Sequence, residues 1–401
     1  MQDKLMTTTQ ASAGGSTIQN LALKATHPCK KDSRSVSWCR MACDIAVGGE
    51  ATVRVLRAAA SLCDAQTCPG TIESRSGVLC RSFVGIVSEL RPLASEETEL
   101  TTVDPVKVLD RVVASPYLMR PLLPPDEQQG QTDCNDDALL QRSTCNSSCV
   151  FGIGASSGTL AEYIVLPVAN LAVVPPSIPD DLALLADDVS VVLSIASELQ
   201  RRHVTNVAIL SDGPATILSN LLTRLLHQDM QFPAQKLHVF SASATCSSTI
   251  WSQYASVTPL DMHEPADMDH LIARQTELAL DAVVDLIGSK ASAELAISLV
   301  QSMGCVVFVD RSRLELRPPS LVAMDMNAVV VRELELVSVP NCRGCLDDAL
   351  QYLVTQSESQ QSTRELRTCL LDDVVLQQAL SQLQARPEQT LEGQYLQVRR
   401  C

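Results

Sequence analysis

Aromatic residues are scarce in this chain: only 3% of its 401 residues are Phe, Trp or Tyr. Because 46% of the residues are hydrophobic, the sequence can still form substantial cores, and we expect these to consist of Leu, Val, Ile and Ala. That hydrophobic content excludes global disorder. The length suits one very large domain or two to three domains of ordinary size.

Basic residues are also in deficit, since the formal net charge is −15 and the sequence pI is near 4.8. We therefore expect no nucleic-acid partner, because nothing neutralises a run of phosphates, and no anionic membrane surface as a partner. An acidic chain of this kind is typical of a soluble, self-repelling protein. No stretch approaches 18 uninterrupted apolar residues, so no transmembrane helix is expected.

A secretory signal is not recognisable at the N-terminus. Residues 1–17 are polar and lack the apolar central segment of a signal peptide, which predicts a flexible tail. Without a signal, the 15 cysteines are expected to be reduced thiols in the cytoplasm, most of them serving as small buried apolar residues.

Hydrophobic periodicity changes character along the chain. From Thr17 to about Asp110, short apolar runs alternate with polar breaks, which predicts the strands of an irregular β domain. Residues 92–132 are loop-rich around one strand-like run, VKVLDRVV. From Asp180 to Gln200 the period becomes helical, with acidic residues at the helix start, where they suit the helix dipole.

After Val204 the pattern alternates strands and helices, which predicts a parallel sheet with helices on both faces. The expected strands are VAILSD, KLHVFSAS, LDAVVDLIG and GCVVFVD, and the expected helices are ILSNLLTRLLHQ and ASAELAISLVQS. The last stretch predicts a helix, VVLQQALSQLQ, and then a strand, GQYLQVRR.

The order of these segments resembles the medium-chain dehydrogenase/reductase family, in its zinc-type alcohol dehydrogenase branch. The best-matching pieces are GEATVRVL, GVLCRSFVGIV, GTLAEYIVLPVANLAVVP, LDAVVDLIGS and ASAELAISLVQSMGCVVFV. The resemblance covers about residues 20–399 and implies an α/β fold. It implies a GroES-like β domain at 18–180, a doubly wound Rossmann domain at 181–340, and a C-terminal return to the first domain at 341–401.

The family's catalytic zinc ligands do not recur at the matching positions. Its first ligand, a Cys, falls on Ser61, with Cys63 and Asp64 just beyond, and the third-ligand region offers Asp187. Its Gly-His-Glu motif falls on Cys80, Arg81 and Ser82. Zinc needs three protein donors, and an Arg in a ligand place repels the ion. A register shift could make Cys63 a ligand, but no histidine lies between His27 and His203 to supply an imidazole. No catalytic or metal-ligating residue is therefore predicted.

The family's structural zinc site is equally reduced. The family pattern has four cysteines spaced C-x2-C-x2-C-x7-C. The matching positions here are Gln131, Cys134, Asp137 and Cys145, so two of the four thiols are present. Cys149 does not fall on this spacing. A closed site normally uses Cys or His throughout, so we expect a loop without zinc.

The dinucleotide turn keeps one of three glycines. The family's G-x-G-x-x-G corresponds to Ser211, Asp212, Gly213, Pro214, Ala215 and Thr216, of which the first four are the candidate cofactor-binding residues. Ser211 is tolerable if its φ is negative, whereas Thr216 adds a branched side chain where helix and strand should touch. The next strand, in HVFSASATCSS, offers neither a carboxylate for the ribose nor an Arg for a 2′-phosphate. We expect weak NAD(P) binding at best.

A few other polar residues attract attention. Cys342 and Cys345 form a C-x-x-C before a helix, but Asp347 and Asp348 would raise the thiol pKa, so ordinary thiols are favoured. Asp187 and Asp188 are predicted to cap the junction helix. In HEPADMDH, His263 and His270 belong to an exposed, acidic helix start.

Three functions remain open from the sequence. The first is an alcohol dehydrogenase-like oxidoreductase homologue that has lost its zinc site, with weak or no activity, retained as a binding partner and dimeric through the Rossmann sheet. The second is a zinc-free NAD(P)H-dependent reductase of a carbonyl or activated alkene, with Arg81 or Ser61 as hydrogen-bond donor to the substrate oxygen. The third is a thiol redox sensor. The sequence does not identify the substrate.

Overall fold

The computed structural model describes just over half of the chain. The described residues are 18–26, 35–43, 46, 48–60, 80, 82–91, 106–116, 158–211, 216–241, 254–261, 264–309, 325–339, 346–359, 362–363, 366, 370–371 and 395–399. The predicted tail at residues 1–17 and the predicted helix VVLQQALSQLQ lie outside these residues.

Fifteen strands are assigned within the described residues. In chain order they are β1 (Ile18–Thr26), β2 (Ser35–Cys43), β3 (Glu50–Ala60), β4 (Ser82–Arg91), β5 (Arg111–Ala114), β6 (Tyr163–Pro167), β7 (Leu171–Val173), β8 (Val207–Ser211), β9 (Leu237–Ser241), β10 (Ser256–Pro259), β11 (Leu280–Asp285), β12 (Val300–Val309), β13 (Glu335–Val339), β14 (Leu370–Leu371) and β15 (Tyr395–Arg399).

The same residues contain eight α-helices. These are α1 (Asp180–Ala183), α2 (Ala186–Arg201), α3 (Thr216–Arg224), α4 (Pro265–Ala273), α5 (Gln275–Leu278), α6 (Lys290–Leu299), α7 (Met326–Val331) and α8 (Leu346–Ser357). A π-helical turn, Leu225–Asp229, continues α3, and short 3-10 helices occupy Val168–Asn170 and Ala234–Lys236. None of the described helices is both long and apolar enough to cross a lipid bilayer.

The first part of the chain forms antiparallel structure. A seven-stranded sheet, antiparallel except for the parallel pair β14-β15, has the order β14-β15-β3-β4-β5-β7, with β6 pairing to β3, while β1 and β2 form a separate pair. The long strand β3 is central because β4, β6 and β15 all pair with it antiparallel. Strand β15 comes from the end of the chain, so the C-terminal strand GQYLQVRR was predicted correctly, and it joins the antiparallel sheet.

The middle of the chain forms a parallel sheet with the order β10-β9-β8-β11-β12-β13. Numbered 1 to 6 along the chain, its strands lie in the spatial order 3-2-1-4-5-6, which is the doubly wound arrangement. Its strands are buried on both faces: along β8, Val207 and Ile209 contact one hydrophobic cluster, whereas Ala208 and Leu210 contact another.

The largest cluster joins the two sheets. It contains Val84 and Val113 from the antiparallel sheet together with Val192 of α2, Leu222 of α3 and Leu350 of α8. The antiparallel sheet also has a core of its own, in which Val53, Phe83 and Leu166 are almost fully buried. As expected from the composition, these cores are mainly aliphatic.

Several predicted elements differ in detail from the observed ones. The helical region from Asp180 to Gln200 is two helices, α1 and α2, separated at Leu184 and Leu185. The run VKVLDRVV contributes only β5 (Arg111–Ala114), because a turn occupies residues 108–109. The helix ASAELAISLVQS ends at Leu299, and the chain then passes directly into β12.

The prediction that Asp187 and Asp188 cap the junction helix was wrong. The N-cap of α2 is Leu185, which provides no side-chain cap, and both aspartates lie within the first helical turn. They are nevertheless buried there, at 7% and 3% exposure, where negative charge favours the helix dipole.

Candidate functional site

The crevice of the parallel sheet lies where its strand order reverses, between β8 and β11. These strands pair in parallel, with Leu210 opposite Asp285, so their carboxyl ends lie side by side. In open sheets of this type ligands bind outside the carboxyl ends of the strands at such a switch point. The two residues that end the strands there are Ser211 and Asp285.

Ser211 is fully buried, and its backbone does not adopt positive φ. A serine where the resemblance places the first glycine of the turn therefore causes no backbone strain at this position. The Ser211 Oγ has no hydrogen-bond partner. The other predicted cofactor-binding residues, Asp212, Gly213 and Pro214, lie outside the described residues, and α3 begins at Thr216.

Asp285 ends the neighbouring strand at the crevice, and the sequence did not predict its place there. It is fully buried, and its carboxylate accepts hydrogen bonds from Ile287 N (2.9 Å), Gly288 N (2.8 Å) and Ser292 Oγ (3.0 Å). Gly288 has φ of 63°, and Ser289 and Ser292 form a capping box that starts α6. The buried carboxylate thus fixes the turn at the edge of the crevice. A strand followed by an aspartate and then Gly-Ser was the signal available in the sequence.

The adjacent strand β9 ends at Ser241, which is 1% exposed. The next nine residues, Ala242 to Ile250, lie outside the described residues and contain no acidic or basic side chain. A ribose contact through a carboxylate is therefore missing from the sequence at the place where this fold normally has one.

On the antiparallel side, the segment before β4 has an unusual backbone. Cys80 has φ of 70° and is fully buried, and this left-handed region is one that glycine adopts most readily. The resemblance places the glycine of Gly-His-Glu at this very residue. Thr159 holds the segment, because its N–H donates to Cys80 O (2.9 Å) and its hydroxyl to Ser82 O (3.4 Å).

The other positions that the resemblance assigns to two zinc sites are only partly described. Ser61, Cys63, Asp64 and Arg81 lie outside the described residues, as do Gln131, Cys134, Asp137, Cys145 and Cys149. Asp187 is described: it is buried, and its carbonyl accepts from Ser190 Oγ at 2.6 Å. In the part of the chain that the structure describes, no three His, Cys, Asp or Glu residues lie close enough together to hold a metal ion.

Neither thiols nor histidines form a second site among the described residues. Cys342, Cys345 and His263 lie outside the described range. Asp347 and Asp348 are exposed in the first turn of α8, and His270 is exposed on α4. Burial raises the pKa of the Cys305 thiol to about 11, which leaves it protonated and unreactive near neutral pH.

A polar clamp fastens the start of the junction helix to the antiparallel sheet. Arg111 of β5 donates to Asp180 Oδ1 (2.9 Å), Pro175 O (2.7 Å) and Ile178 O (2.6 Å). Arg57 of β3 approaches the other carboxylate oxygen of Asp180 at 3.6 Å. The clamp thus links two strands of one sheet to the chain entering the other.

Comparisons with solved structures agree with this architecture. A protein described as a short chain alcohol dehydrogenase from E. coli CFT073, complexed with NADH, superposes with a TM-score of 0.68 at 13% identity, over 95% of this chain and 99% of that one. An alcohol dehydrogenase from Thermus sp. ATN1 has a TM-score of 0.65 at 19% identity, over 95% and 100%. Galactitol-1-phosphate dehydrogenase from Escherichia coli has 0.66 at 14%, over 96% and 100%.

No protein-family model matches the sequence. At these identities the structural likeness shows the fold alone. The predicted α/β fold, with a GroES-like β domain and a doubly wound parallel-sheet domain, is confirmed.

Proposed function

We propose that this chain is an alcohol dehydrogenase-like oxidoreductase homologue that has lost its catalytic zinc site and has weak or no dehydrogenase activity. The observation that carries the proposal is the left-handed backbone of Cys80, at φ 70°. It supports the register in which Cys80 takes the place of the glycine, Arg81 that of the zinc-binding histidine and Ser82 that of the glutamate.

The chemistry of these residues explains why the catalytic zinc site is lost. A catalytic zinc requires three thiolate, imidazole or carboxylate donors and one open position for the substrate oxygen. A guanidinium cannot lose its proton at neutral pH, so Arg81 would repel the metal rather than bind it. Ser61 and Ser82 add neutral hydroxyls in place of a thiolate and a carboxylate. The residues in these places therefore do not fit zinc.

The crevice between β8 and β11 retains part of a dinucleotide site. Ser211 causes no backbone strain, and its buried hydroxyl is available as a donor. Asp212 and the absence of a ribose carboxylate weaken the site. We propose that NAD(P) binds there weakly; a bound nicotinamide would supply or accept a hydride, while this chain's own residues would hold its diphosphate and exclude water.

A second candidate is a zinc-free NAD(P)H-dependent reductase of a carbonyl or activated alkene. The backbone of Ser211, which does not adopt positive φ, favours it, because hydride transfer needs the cofactor but no metal. In that case Arg81 or Ser61 would donate a hydrogen bond to the substrate oxygen. Titration calorimetry with NADH and NADPH separates the candidates: submillimolar affinity for either supports the reductase and contradicts the weak binding proposed for the first candidate.

We also propose that the protein is a cytoplasmic homodimer. Strand β13 lies at the end of the described parallel sheet, and exposed apolar residues surround it: Met303, Met326, Val330, Val331 and Leu336. Antiparallel pairing of two copies centred on Val337 would place Glu335 opposite Val339, so no like charges would face each other. The edge of β13 would then be covered by β13 of the second copy.

The zinc argument is tested by restoring the donors. The double variant Ser61→Cys/Arg81→His should retain zinc after dialysis, measured by elemental analysis, because it supplies a thiolate and an imidazole at the two positions that the resemblance assigns to the first two ligands, while Asp187 takes the third. The matched control Arg91→His introduces a histidine at an exposed position on β4 and should retain none. Failure of the double variant, if folded, to hold zinc would contradict the proposed register.

A further inference from the structure

Two methionine side chains are exposed beside the edge strand β13. Among the methionines whose side chains the structure describes, Met230 and Met268 are partly buried and pack against hydrophobic clusters. In contrast, Met303 is 79% exposed and Met326 is 56% exposed. Single exposed apolar residues are common on any protein, but several on one part of the surface indicate a functional role.

The backbone places both methionines next to β13. In β12, Met303 comes two residues before Cys305, which pairs with Glu335, so Met303 lies beside the chain that enters β13. The Met303 N–H donates to Arg332 O at 2.8 Å, which fixes these two segments to each other. Met326 is the first residue of α7, the helix that leads into β13. Both thioethers therefore belong to the apolar surface around this strand.

The neighbouring thiol does not compete for an oxidant. Cys305 is 3% exposed, and burial raises the pKa of its thiol to about 11. Peroxides react with thiolates, so this thiol stays inert near neutral pH. A thioether has no proton to lose, and its oxidation requires only that the oxidant reach the sulfur. Among the described residues beside β13, the sulfur atoms open to an oxidant are therefore those of Met303 and Met326.

We infer that Met303 and Met326 are sites of reversible oxidation that controls the association of two copies at β13. The inference rests on the proposed homodimer and goes beyond it by naming what regulates it. Hydrogen peroxide transfers one oxygen atom to each thioether: an S–O bond forms, the O–O bond breaks, the sulfur loses two electrons to the peroxide, and water leaves. The free subunit, whose thioethers are uncovered, is the form that reacts.

The product opposes dimer formation. A sulfoxide is polar and accepts hydrogen bonds, whereas the thioether it replaces is apolar. Covering an unpaired polar group with the apolar surface of a second copy costs free energy. Oxidation of the free subunit therefore shifts the equilibrium away from the dimer until the sulfoxides are reduced again.

Sedimentation of peroxide-treated protein tests the inference. Mild hydrogen peroxide is removed with catalase, and dithiothreitol then reverses disulfide formation but leaves sulfoxides in place. Peptide mass spectrometry should find sulfoxide at Met303 and Met326. Analytical ultracentrifugation should show a dimer dissociation constant raised about tenfold or more, because an unpaired polar group in an interface has a cost of that order. Methionine sulfoxide reductase should restore the original value.

Two double variants provide the comparison. Met303→Leu/Met326→Leu keeps side chains of similar volume and should dimerise as wild type does, both before and after peroxide. Met230→Leu/Met268→Leu removes thioethers that are partly buried against the hydrophobic clusters, and it should respond to peroxide as wild type does.

The outcomes separate the regulation from the dimer on which it rests. A wild type that is monomeric before treatment contradicts both. A dimeric wild type whose dissociation constant is unchanged by peroxide contradicts the regulation alone. The inference is also overturned if Met303 and Met326 resist peroxide, if dithiothreitol alone restores the dimer, or if Met303→Leu/Met326→Leu responds as strongly as wild type.

Discussion

Leu109 shows how a single residue departs from what its backbone prefers. It lies in the turn before β5 with φ of 75°, and its side chain is 78% exposed. A non-glycine residue in this region costs about 1–2 kcal/mol, and little packing offsets that cost here. The turn thus stores strain that a glycine would relieve.

The variant Leu109→Gly should therefore be more stable than wild type by about 0.5–1 kcal/mol, after the larger chain entropy of unfolded glycine is subtracted. Urea unfolding followed by circular dichroism measures the difference. The neighbouring Val108, 49% exposed and without positive φ, is the control, because Val108→Gly should lower the stability. Equal effects of the two variants would contradict the strain at Leu109.

At residue scale the sequence predicted part of the candidate site. The motif spacing placed Ser211 at the end of a strand, where it lies without positive φ, whereas its role in cofactor binding stays a prediction. It did not predict Asp285, because the donors to that carboxylate become neighbours only when Gly288 turns the chain back. Nor did it predict the backbone of Cys80, since cysteine has no intrinsic preference for positive φ.

At the scale of secondary-structure elements, the Arg111 clamp joins the antiparallel sheet to the start of α1. Arginine satisfies Asp180 and two carbonyl oxygens at once because its donors are arranged in a planar fork. The clamped residues are about three-quarters buried, with side-chain exposures of 26% for Arg111 and 22% for Asp180. A lysine at this position, with one ammonium group on a flexible side chain, could not reach all three acceptors.

We expect Arg111→Lys to lower the free energy of unfolding by about 1–2 kcal/mol, because at least one carbonyl loses its donor. Differential unfolding in urea measures this loss. In the control Arg91→Lys, the exposed pair with Glu89 is altered, and the change should stay within about 0.5 kcal/mol. A loss at Arg111 no larger than that at Arg91 would mean that the clamp does not stabilise the junction.

Helices and strands were predicted correctly where the hydrophobic pattern of the sequence is strong. Strands β8, β9 and β11 are buried apolar runs bounded by polar residues, and the sequence predicted all three. Strand β10, with the sequence SVTP, has no such run and was missed, because it is an edge strand paired only with β9 among the described strands. The break between α1 and α2 leaves no mark in the helical period, since Leu184 and Leu185 are fully buried.

At the scale of the whole molecule, the exposed apolar surface beside β13 bears on assembly. Val331 is 81% exposed and Leu336 is 37% exposed, and both lie near the strand at the sheet edge. An uncovered edge with apolar neighbours favours pairing with another strand. The net charge of −15 opposes association at long range, so salt should strengthen the dimer.

Wild type should therefore sediment as a dimer, and the double variant Val331→Glu/Leu336→Glu should sediment as a monomer in analytical ultracentrifugation. The variant Val108→Glu/Leu109→Glu adds the same charge at exposed apolar residues elsewhere and should remain dimeric. A monomeric wild type, or a dimer that survives the first pair of substitutions, would contradict the proposed interface.

The zinc content of purified wild-type protein tests the central claim most directly. The protein should be produced with added zinc, dialysed, and measured by elemental analysis beside the variant Cys134→Ser/Cys145→Ser. That variant removes the two thiols at the positions that the resemblance assigns to a structural zinc site. The account predicts only trace zinc in both proteins, because Arg81 and Ser61 provide no ligand. Zinc near one ion per chain that persists in the double variant would contradict it.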